Sequence, residues 1–225
     1  MTKFNIYDLI GVMIGDGCLL YYPKHRIYGI EITGNATEET DYYDKIARFI
    51  KNEFNLKSRI YVKHQPLGLA LKLVVYNKKL AEFMLNCGIT TNKTYTIKIS
   101  DEFLTWKKSK FILRGIFETD GSLYFSKSKT KTDKPSYPRL EIKTASFCLA
   151  KQIMEILNKN GFKAHCHQNG STKVVYLSGV NMLEKWVKEI GFNSNKNTSK
   201  YLLWKKLGYY IPKISLQNRL SLLNS

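Results

Sequence analysis

Hydrophobic and polar residues follow the same order of periodicities twice along the chain. In each half an apolar segment of helical length comes first, predicted over residues 6–15 and 106–119. Two strands, an amphipathic helix, a hairpin and a closing helix follow, which gives the order αββαββα in both halves. In the first amphipathic helix, for example, Ile46, Phe49 and Ile50 share one side. The pattern predicts an α+β fold of two similar units, each with its own antiparallel strands.

The strands and closing helices are predicted at corresponding places in the two units. The predicted strands are 18–22, 26–33, 58–63 and 70–76 in the first unit and 122–126, 139–144, 163–168 and 172–178 in the second. The predicted closing helices are 78–86 and 180–189. The polar run 127–137, which contains Pro135, is expected to be a flexible connection. Leu216, Leu220 and Leu223 predict a short final helix packed on the body.

Short sequence repeats support this duplication. The segment Leu9–Gly17 recurs as Leu113–Gly121, 104 residues later, with Leu, Gly, Asp and Gly at the same four places. Residues 88–93 recur as 191–196 with a shift of 103. The constant order and nearly constant shift predict a duplicated unit of about a hundred residues. We assign the first repeat to residues 1–105 and the second, with a C-terminal helical tail, to residues 106–225.

Charge and composition limit the classes of partner that the protein is expected to bind. The 225 residues carry a formal charge of +18, and 44% of them are hydrophobic, so a compact body with a polyanionic partner is expected. No apolar run reaches the roughly 18 residues that span a bilayer, and no signal peptide begins the chain, which argues against a membrane. Four cysteines without CxxC spacing are typical of a reducing, intracellular compartment. The run 165–167, His-Cys-His, could bind a metal, but a strand with polar residues on one face is favoured.

Small residues recur along one face of each first helix. Gly11 and Gly15 are four residues apart, and Gly115 and Thr119 match them in the second unit. Small residues at this spacing let two helix backbones approach closely. We therefore expect the two helices to pack on each other with their last turns side by side.

Two aspartates follow from this packing as the candidate reactive centre. Asp16 and Asp120 end the two motifs, so they should lie close together, and two neighbouring carboxylates repel each other. A divalent cation would compensate, and oxygen ligands suit Mg²⁺. In so basic a protein, carboxylates that gather metal favour cleavage of a phosphodiester. The alternative is that both aspartates merely cap helix ends toward solvent.

The segments Leu9–Gly17 and Leu113–Gly121 resemble the two motifs of the LAGLIDADG homing endonucleases in their single-chain, two-repeat form. The resemblance extends over nearly the whole chain, through both motifs, the order of elements and the length. It implies two antiparallel sheets that form a saddle in the DNA major groove. It also implies a monomer that cleaves each strand across the minor groove with a divalent metal, Mg²⁺ or Mn²⁺.

The resemblance assigns roles to residues of both motifs. Asp16 and Asp120 match the acidic metal ligands, and the preceding backbone carbonyls of Gly15 and Thr119 are further candidates. Glu118 stands at a motif position that is often acidic. Because the first unit has isoleucine there, a structural role is preferred for Glu118.

Basic and polar residues outside the motifs complete the expected sites. Lys93 and Lys196 match the family's basic residue in each active site, where a lysine could stabilise charge or order the attacking water. A solvated lysine that contacts the DNA backbone is an equal alternative. The glutamine that the family often carries after the second strand is absent. Gly34 with Asn35 and, in the second unit, Thr144 occupy those positions.

Strand alternation gives the candidate DNA contacts, because alternate side chains share one face of a sheet. The predicted base-reading residues are Tyr22, Glu31, Thr33, Arg59, Tyr61, Lys63, Ser122, Tyr124, Ser126, Arg139, Glu141, Lys143, His165 and His167. The predicted phosphate contacts are Lys24, Lys57, Lys72, Lys127, Lys129 and Lys173, each with an ordinary solvated lysine as its alternative. Since the two sets differ residue for residue, the DNA target should be asymmetric.

Three hypotheses follow from the sequence. The first is a site-specific double-stranded DNA endonuclease. The second is a maturase that acts on intron RNA with the same scaffold, and the third is a DNA-binding protein without catalysis. The paired aspartates favour the first, because binding alone gains nothing from two carboxylates that face a phosphate. Since no intein splicing residues frame the chain, it is expected to be freestanding or intron-encoded.

Overall fold

Each half of the chain forms one four-stranded antiparallel sheet with helices on one side. The computed structural model describes residues 3–65, 68–128 and 132–225. The first half comprises α1 (Ile6–Ile14), β1 (Gly17–Tyr22), β2 (Ile27–Asn35), α2 (Thr40–Phe54), β3 (Arg59–Gln65), β4 (Gly68–Tyr76) and α3 (Lys78–Asn86). The second comprises α4 (Trp106–Asp120), β5 (Gly121–Ser128), β6 (Thr132–Thr144), α5 (Phe147–Lys159), β7 (His165–Asn169), β8 (Thr172–Ser178) and α6 (Val180–Glu189). Two helices of the tail follow, α7 (Asn195–Leu207) and α8 (Leu216–Asn224).

The predicted fold class and element order are confirmed. The sheets have the matching strand orders β1-β2-β4-β3 and β5-β6-β8-β7, and every pairing is antiparallel. Helix-facing residues such as Ile30, Ile32 and Leu140 are buried in the core. We call the opposite face of each sheet, which carries Glu31 in one and Glu141 in the other, the open face. No helix in the described parts of the chain is long and apolar enough to cross a bilayer.

The motif helices α1 and α4 pack directly on each other, as their small residues predicted. A Cβ on Gly11 would clash with the carbonyl oxygen of Ile112 and come within 2.9 Å of the Cα of Gly115. A Cβ on Gly115 would in turn clash with the carbonyl oxygen of Asp8. The backbones meet at a distance that only glycine allows, so the two halves are joined where both motifs end.

A buried ion pair also joins the motif helices. Arg114 of α4 donates two hydrogen bonds to Asp8 of α1, from Nε at 2.7 Å and from Nη2 at 2.8 Å, and both side chains are 0% exposed. Asp8 also accepts the backbone N–H of Asn5, and Asn5 accepts that of Asp8, which caps the start of α1. One carboxylate therefore fixes both the start of α1 and its contact with α4.

The described parts of the run 127–137 are strands and not the flexible connection that its composition predicted. β5 continues to Ser128 and β6 begins at Thr132, so the two strands extend as a ribbon, while residues 129–131 lie outside the described residues. Proline is tolerated because this part of β6 has no strand on its second side. The tail covers that side instead: the N–H of Tyr210 donates to the carbonyl of Pro135 and the indole of Trp204 to that of Ser136.

The tail contains a helix that the sequence did not predict. α7 buries polar residues, Asn197 and Ser199, so it lacks the apolar stripe that would reveal it. The predicted final helix is present as α8, but its fully buried residue is Arg219 and not a leucine. Arg219 donates to Glu38 of the first half at 2.7 Å and to the Ser199 hydroxyl of α7 at 2.9 Å. A charged side chain thus anchors the tail to the body.

Candidate active site and nucleic-acid interface

The structure brings the two motif aspartates together at the joined ends of α1 and α4. Asp120 is the last residue of α4, and Asp16 follows α1 by two residues. A Cβ on Gly15 would lie 3.2 Å from Oδ2 of Asp120, so the second carboxylate rests against the end of the first motif helix. Asp16 keeps an exposed surface and Asp120 is half-buried. The pair therefore remains open to a ligand from solvent.

Both carboxylates are easier to protonate than an ordinary aspartate. Loss of surrounding water raises the pKa of Asp16 to about 6, with a further contribution from the charge of Glu39, while Lys196 and Lys93 oppose the rise. Loss of water and the charge of Asp16 raise the pKa of Asp120 to about 7, and Lys93 opposes the rise. Burial is thus the main cause in both cases, and the nearby lysines offset it only in part.

The surroundings of the two aspartates fit a divalent cation. Within the described residues neither carboxylate accepts a hydrogen bond or forms an ion pair, so their oxygens are available as hard ligands. The Gly15 carbonyl oxygen accepts one hydrogen bond from Lys93, which leaves one lone pair for a metal. The Thr119 hydroxyl donates its proton back to its own helix, to the carbonyl oxygens of Gly115 and Ile116. No cluster of three or more His, Cys, Asp or Glu suited to a metal occurs in the described chain, so water or substrate oxygens would complete the ligand set.

Lys93 lies at the end of α1, next to both aspartates. Its Nζ donates to the carbonyl oxygens of Ile14 at 2.7 Å and of Gly15 at 2.6 Å, which are left unpaired at the helix end. Burial lowers the pKa of Lys93, and the charges of Asp120 and Asp16 oppose that effect. The predicted position of this lysine in the site thus agrees with the geometry.

Lys196 reaches the site from the first turn of α7 and meets a carboxylate that the sequence did not single out. Its Nζ donates to Oε1 of Glu39 at 2.6 Å. Glu39 precedes α2, is only 7% exposed, and lies close enough to Asp16 to raise the pKa of that aspartate. Sequence inspection missed Glu39 because it lies in a polar turn, Glu38–Thr40, where acidic residues are usually solvated.

Two other buried groups border Lys196. The Tyr43 hydroxyl is buried and has no hydrogen-bond partner among the described residues, and burial together with the charge of Glu39 raises its pKa. Lys200 lies one helical turn after Lys196, and burial followed by the charges of Lys196 and Arg219 lowers its pKa to about 8. These groups make the surroundings of Lys196 more polar and more crowded than those of Lys93.

The surroundings of Glu118 are those of a structural residue, the role that the difference between the two motifs favoured. It is 1% exposed and accepts hydrogen bonds from the Asn193 and Ser194 N–H groups, the Ser194 hydroxyl and the Asn197 amide. These donors belong to the start of α7 and the turn before it. Glu118 therefore fixes the helix that carries Lys196 and has no oxygen free for the open site.

Comparisons with known proteins agree with this geometry in both halves. A model of the LAGLIDADG-like domain matches residues 108–203, and a model of the WhiA LAGLIDADG-like domain matches residues 7–84. The chain is a two-repeat LAGLIDADG protein. No curated protein matches its sequence significantly.

Solved structures share the LAGLIDADG fold of the chain. The homing endonuclease I-DmoI in complex with DNA and Mn is 21% identical, with a TM-score of 0.57 over 83% of this chain and 96% of that one. The homing endonuclease I-WcaI bound to its DNA recognition sequence is 14% identical, with a TM-score of 0.60 over 86% and 85%. The N-terminal LAGLIDADG domain of DUF199/WhiA is 15% identical, with a TM-score of 0.56 over 85% and 87%. At these identities the likeness establishes the fold.

The open faces of this LAGLIDADG fold carry all the predicted base-reading residues. In β3, Arg59 and Tyr61 pair with Val74 and Lys72 of β4, and all four lie opposite the core-facing residues of those strands. Residues with the same orientation include Tyr22, Glu31, Thr33, Lys63, Ser122, Tyr124, Ser126, Arg139, Glu141, Lys143, His165 and His167. The alternation therefore places the predicted donors and acceptors on one continuous side of each sheet.

Several of these side chains are already paired with one another. Lys72 donates to Glu31 at 2.5 Å, and the Tyr124 hydroxyl donates to Glu141. His165 and His167 pack beside the ring of Tyr176, with ring centres 5.5 Å and 5.4 Å away. The two histidines thus form part of a polar strand face, which agrees with the interpretation that was favoured over a metal site.

The predicted phosphate contacts divide into different surroundings. Lys24 lies in the turn 23–25 at the tip of β1 and β2, and Lys57 is exposed before β3. Lys173 shares the orientation of the core residues Val175 and Leu177 and lies 5.2 Å from the ring centre of Phe147, so it points to the helix side of its sheet. Lys129 lies outside the described residues. All four cysteines are free thiols, as their spacing predicted.

Proposed function

We propose that the chain is a site-specific, double-stranded DNA endonuclease that cuts both strands of a long, asymmetric target across the minor groove as a monomer. The observation that carries the proposal is the pairing of Asp16 and Asp120. Within the described residues the two carboxylates lie side by side without a hydrogen-bond donor, Lys93 lies near both of them, and Lys196 lies near Asp16. A protein that only bound DNA would place uncompensated negative charge against a phosphate, which weakens binding.

The residues divide into three roles in this reaction. Asp16 and Asp120, with the backbone carbonyls of Gly15 and Thr119, would hold Mg²⁺ or Mn²⁺, which supplies water activation and neutralises charge on the cleaved phosphate. Lys93 and Lys196 place ammonium groups beside the carboxylates, where they stabilise the negative charge that develops on the phosphate. The open faces of the two sheets read base edges in the major groove.

The net charge and the related structures support DNA as the partner. The formal charge of +18 favours a polyanion, and both I-DmoI and I-WcaI have been solved on DNA. I-DmoI has also been solved with Mn, Mg and Ca. By analogy we expect Mg²⁺ or Mn²⁺ to serve this chain, and intron homing to be its biological setting.

Selection of cleaved duplexes from a randomised library with Mg²⁺ present tests the proposal directly. Asp16→Asn and Asp120→Asn should each abolish cleavage of a selected target, because each removes a charged metal ligand, while specific binding in a gel-shift assay stays largely intact. Asp101→Asn is the matched control, because it removes the charge of an exposed aspartate outside both motifs, and it should cut normally. Cleavage by the Asp16→Asn/Asp120→Asn double variant would overturn the assignment.

A second candidate is a DNA-binding protein without catalysis. The specific observation in its favour is the match of residues 7–84 to the WhiA model, since that model is not named for a nuclease. Specific duplex binding by the wild-type chain without cleavage in Mg²⁺ or Mn²⁺ would favour this candidate. Strong RNA binding without DNA cleavage would favour a maturase.

A further inference from the structure

Glu39 is held firmly in the half-site that contains Lys196. Its Oε1 accepts a hydrogen bond from the Lys196 ammonium at 2.6 Å, and its Oε2 accepts one from the backbone N–H of Asn35 at 2.8 Å. The side chain is 9% exposed, whereas that of Lys196 is 19% exposed. With both oxygens bonded, the carboxylate has one orientation, and it restricts the ammonium to one side of Asp16.

Gly34 leaves the space that the Glu39 carboxylate occupies. A Cβ on Gly34 would clash with Oε2 of Glu39 and lie 2.5 Å from the Tyr43 hydroxyl. A side chain at residue 34 and the Glu39 carboxylate therefore cannot occupy this space together. The position after β2, which carries no polar side chain at Gly34, receives its polar group from Glu39 instead.

Among the described residues, no acidic side chain hydrogen-bonds Lys93 in the way that Glu39 holds Lys196. Lys93 is held by two neutral carbonyl groups, those of Ile14 and Gly15. After β6, where the second unit corresponds to the Gly34 region, Thr144 accepts the N–H of Ser146 and the Ser146 hydroxyl donates to the carbonyl of Ile97. The two lysines are thus positioned by different chemistry, one by a carboxylate and one by a helix end.

We propose that Glu39 is a positioning residue that holds Lys196 against the DNA strand cut at its half-site, so that the two strands depend on different residues. The proposal rests on the proposed endonuclease function. Glu39 acts through Lys196 and makes no contact with the cleaved phosphate itself. The strand served by Lys93 does not depend on Glu39.

Strand-specific cleavage kinetics test this proposal. A duplex target labelled differently on each strand gives the single-turnover rate of each strand in the same reaction. Lys196→Met and Lys93→Met first identify which strand each lysine serves. Glu39→Gln keeps the shape of the side chain but removes its charge, so it should slow the Lys196 strand by about tenfold or more, since small misplacements of a reacting group have effects of this size. The other strand should be little affected, so nicked DNA accumulates.

Two further variants separate positioning from folding. Gly34→Ala displaces the Glu39 carboxylate and should slow the same strand. Glu38→Gln is the matched control, because Glu38 also pairs with a basic side chain, Arg219, but belongs to the anchor of the tail. Any loss of folded protein in Glu38→Gln lowers both rates equally and leaves their ratio unchanged. A ratio of the two strand rates in Glu39→Gln that is unchanged from wild type, whether both rates stay the same or both fall equally, would overturn the proposal.

A measurement on the free protein makes the outcome independent of cleavage. Acylation of lysine amines, followed by mass spectrometry, reports how firmly each ammonium is held. Glu39→Gln should increase the labelling rate of Lys196 severalfold and leave that of Lys93 unchanged. If the wild-type chain cuts neither strand, the endonuclease proposal fails, and the Lys196 labelling rate still decides the positioning role. Unchanged labelling of Lys196 would refute that role.

Discussion

The buried pair between Asp8 and Arg114 gives a quantitative prediction for the stability of the two-repeat body. Both side chains are 0% exposed and share two hydrogen bonds across the contact between the motif helices. Asp8→Asn removes the negative charge and retains the shape of the side chain. It removes the carboxylate charge that shares two hydrogen bonds with the buried Arg114 guanidinium, which also donates to the carbonyls of Ile190 and Lys3.

The expected loss is large for a protein of this size. Removal of one partner from a buried pair typically costs about 3–5 kcal/mol, because the remaining charge stays in a medium of low polarity. Folded domains have free energies of unfolding of about 5–15 kcal/mol, so the variant would lose a substantial part of its stability. Replacement of both residues, as in Asp8→Leu/Arg114→Met, removes both buried charges together and should restore most of the loss.

Urea unfolding followed by far-ultraviolet circular dichroism measures these differences. The matched control is Glu82→Gln, which breaks an exposed pair with Lys78 at 3.7 Å and should change the free energy of unfolding by less than about 0.5 kcal/mol. If Asp8→Asn costs less than about 1 kcal/mol relative to wild type, the pair does not hold the motif helices together and the reasoning is wrong. If the double variant is no more stable than Asp8→Asn, the loss does not come from the buried Arg114 charge that has lost the Asp8 carboxylate.

Three further predictions concern packing, pH and salt. Gly115→Ala should lower the free energy of unfolding by about 1–3 kcal/mol, measured in the same urea assay, because the new methyl group meets the α1 backbone. The pKa of Asp120 is raised to about 7, so the folded state keeps a proton that the unfolded state loses near pH 4. The free energy of unfolding should therefore fall as the pH rises from 4 to 7. Asp120→Asn should reduce that fall, as urea titrations at several pH values would show. Cleavage should rise with pH up to about 7 as both carboxylates ionise, which a pH–rate profile would check. DNA affinity should fall with salt, and Lys57→Gln should reduce the log–log slope by about 1 because Lys57 is an exposed, predicted phosphate contact, as titrations at several salt concentrations would show.

The sequence was sufficient for the parts of the fold that rest on repeated local patterns. The closing helices are observed at the predicted bounds, Lys78–Asn86 and Val180–Glu189, because each has a regular apolar face. The contact between the motif helices followed from Gly11 and Gly115, since glycine at that spacing has few other uses in a helix. In each case the residue type alone carried the information.

The missed features depend on polar groups that are buried together from distant parts of the chain. α7 was missed because its buried face carries Asn197 and Ser199, whose partners, Glu118 and Arg219, lie 79 and 20 residues away. Glu39 was missed because its partner Lys196 is 157 residues away and its space is created by the absence of a side chain at Gly34. No periodicity in a single segment reports such pairings.

The same contrast explains why the duplicated units can share one fold and still differ in their sites. The core positions retain the repeat because packing constrains them in both halves alike, as Ile32 and Ile142 show at equivalent strand positions. The groups that hold the two lysines lie outside the core, so their sequences can diverge. Carbonyl oxygens at the end of α1 hold Lys93, whereas the Glu39 carboxylate from a polar turn holds Lys196. A fused chain permits this divergence, since a change in one half is not copied into the other as it would be in a symmetric dimer. Differences between the strands in cleavage are therefore expected to arise from Glu39 and Gly34 and not from the motif aspartates, which the two halves have in common.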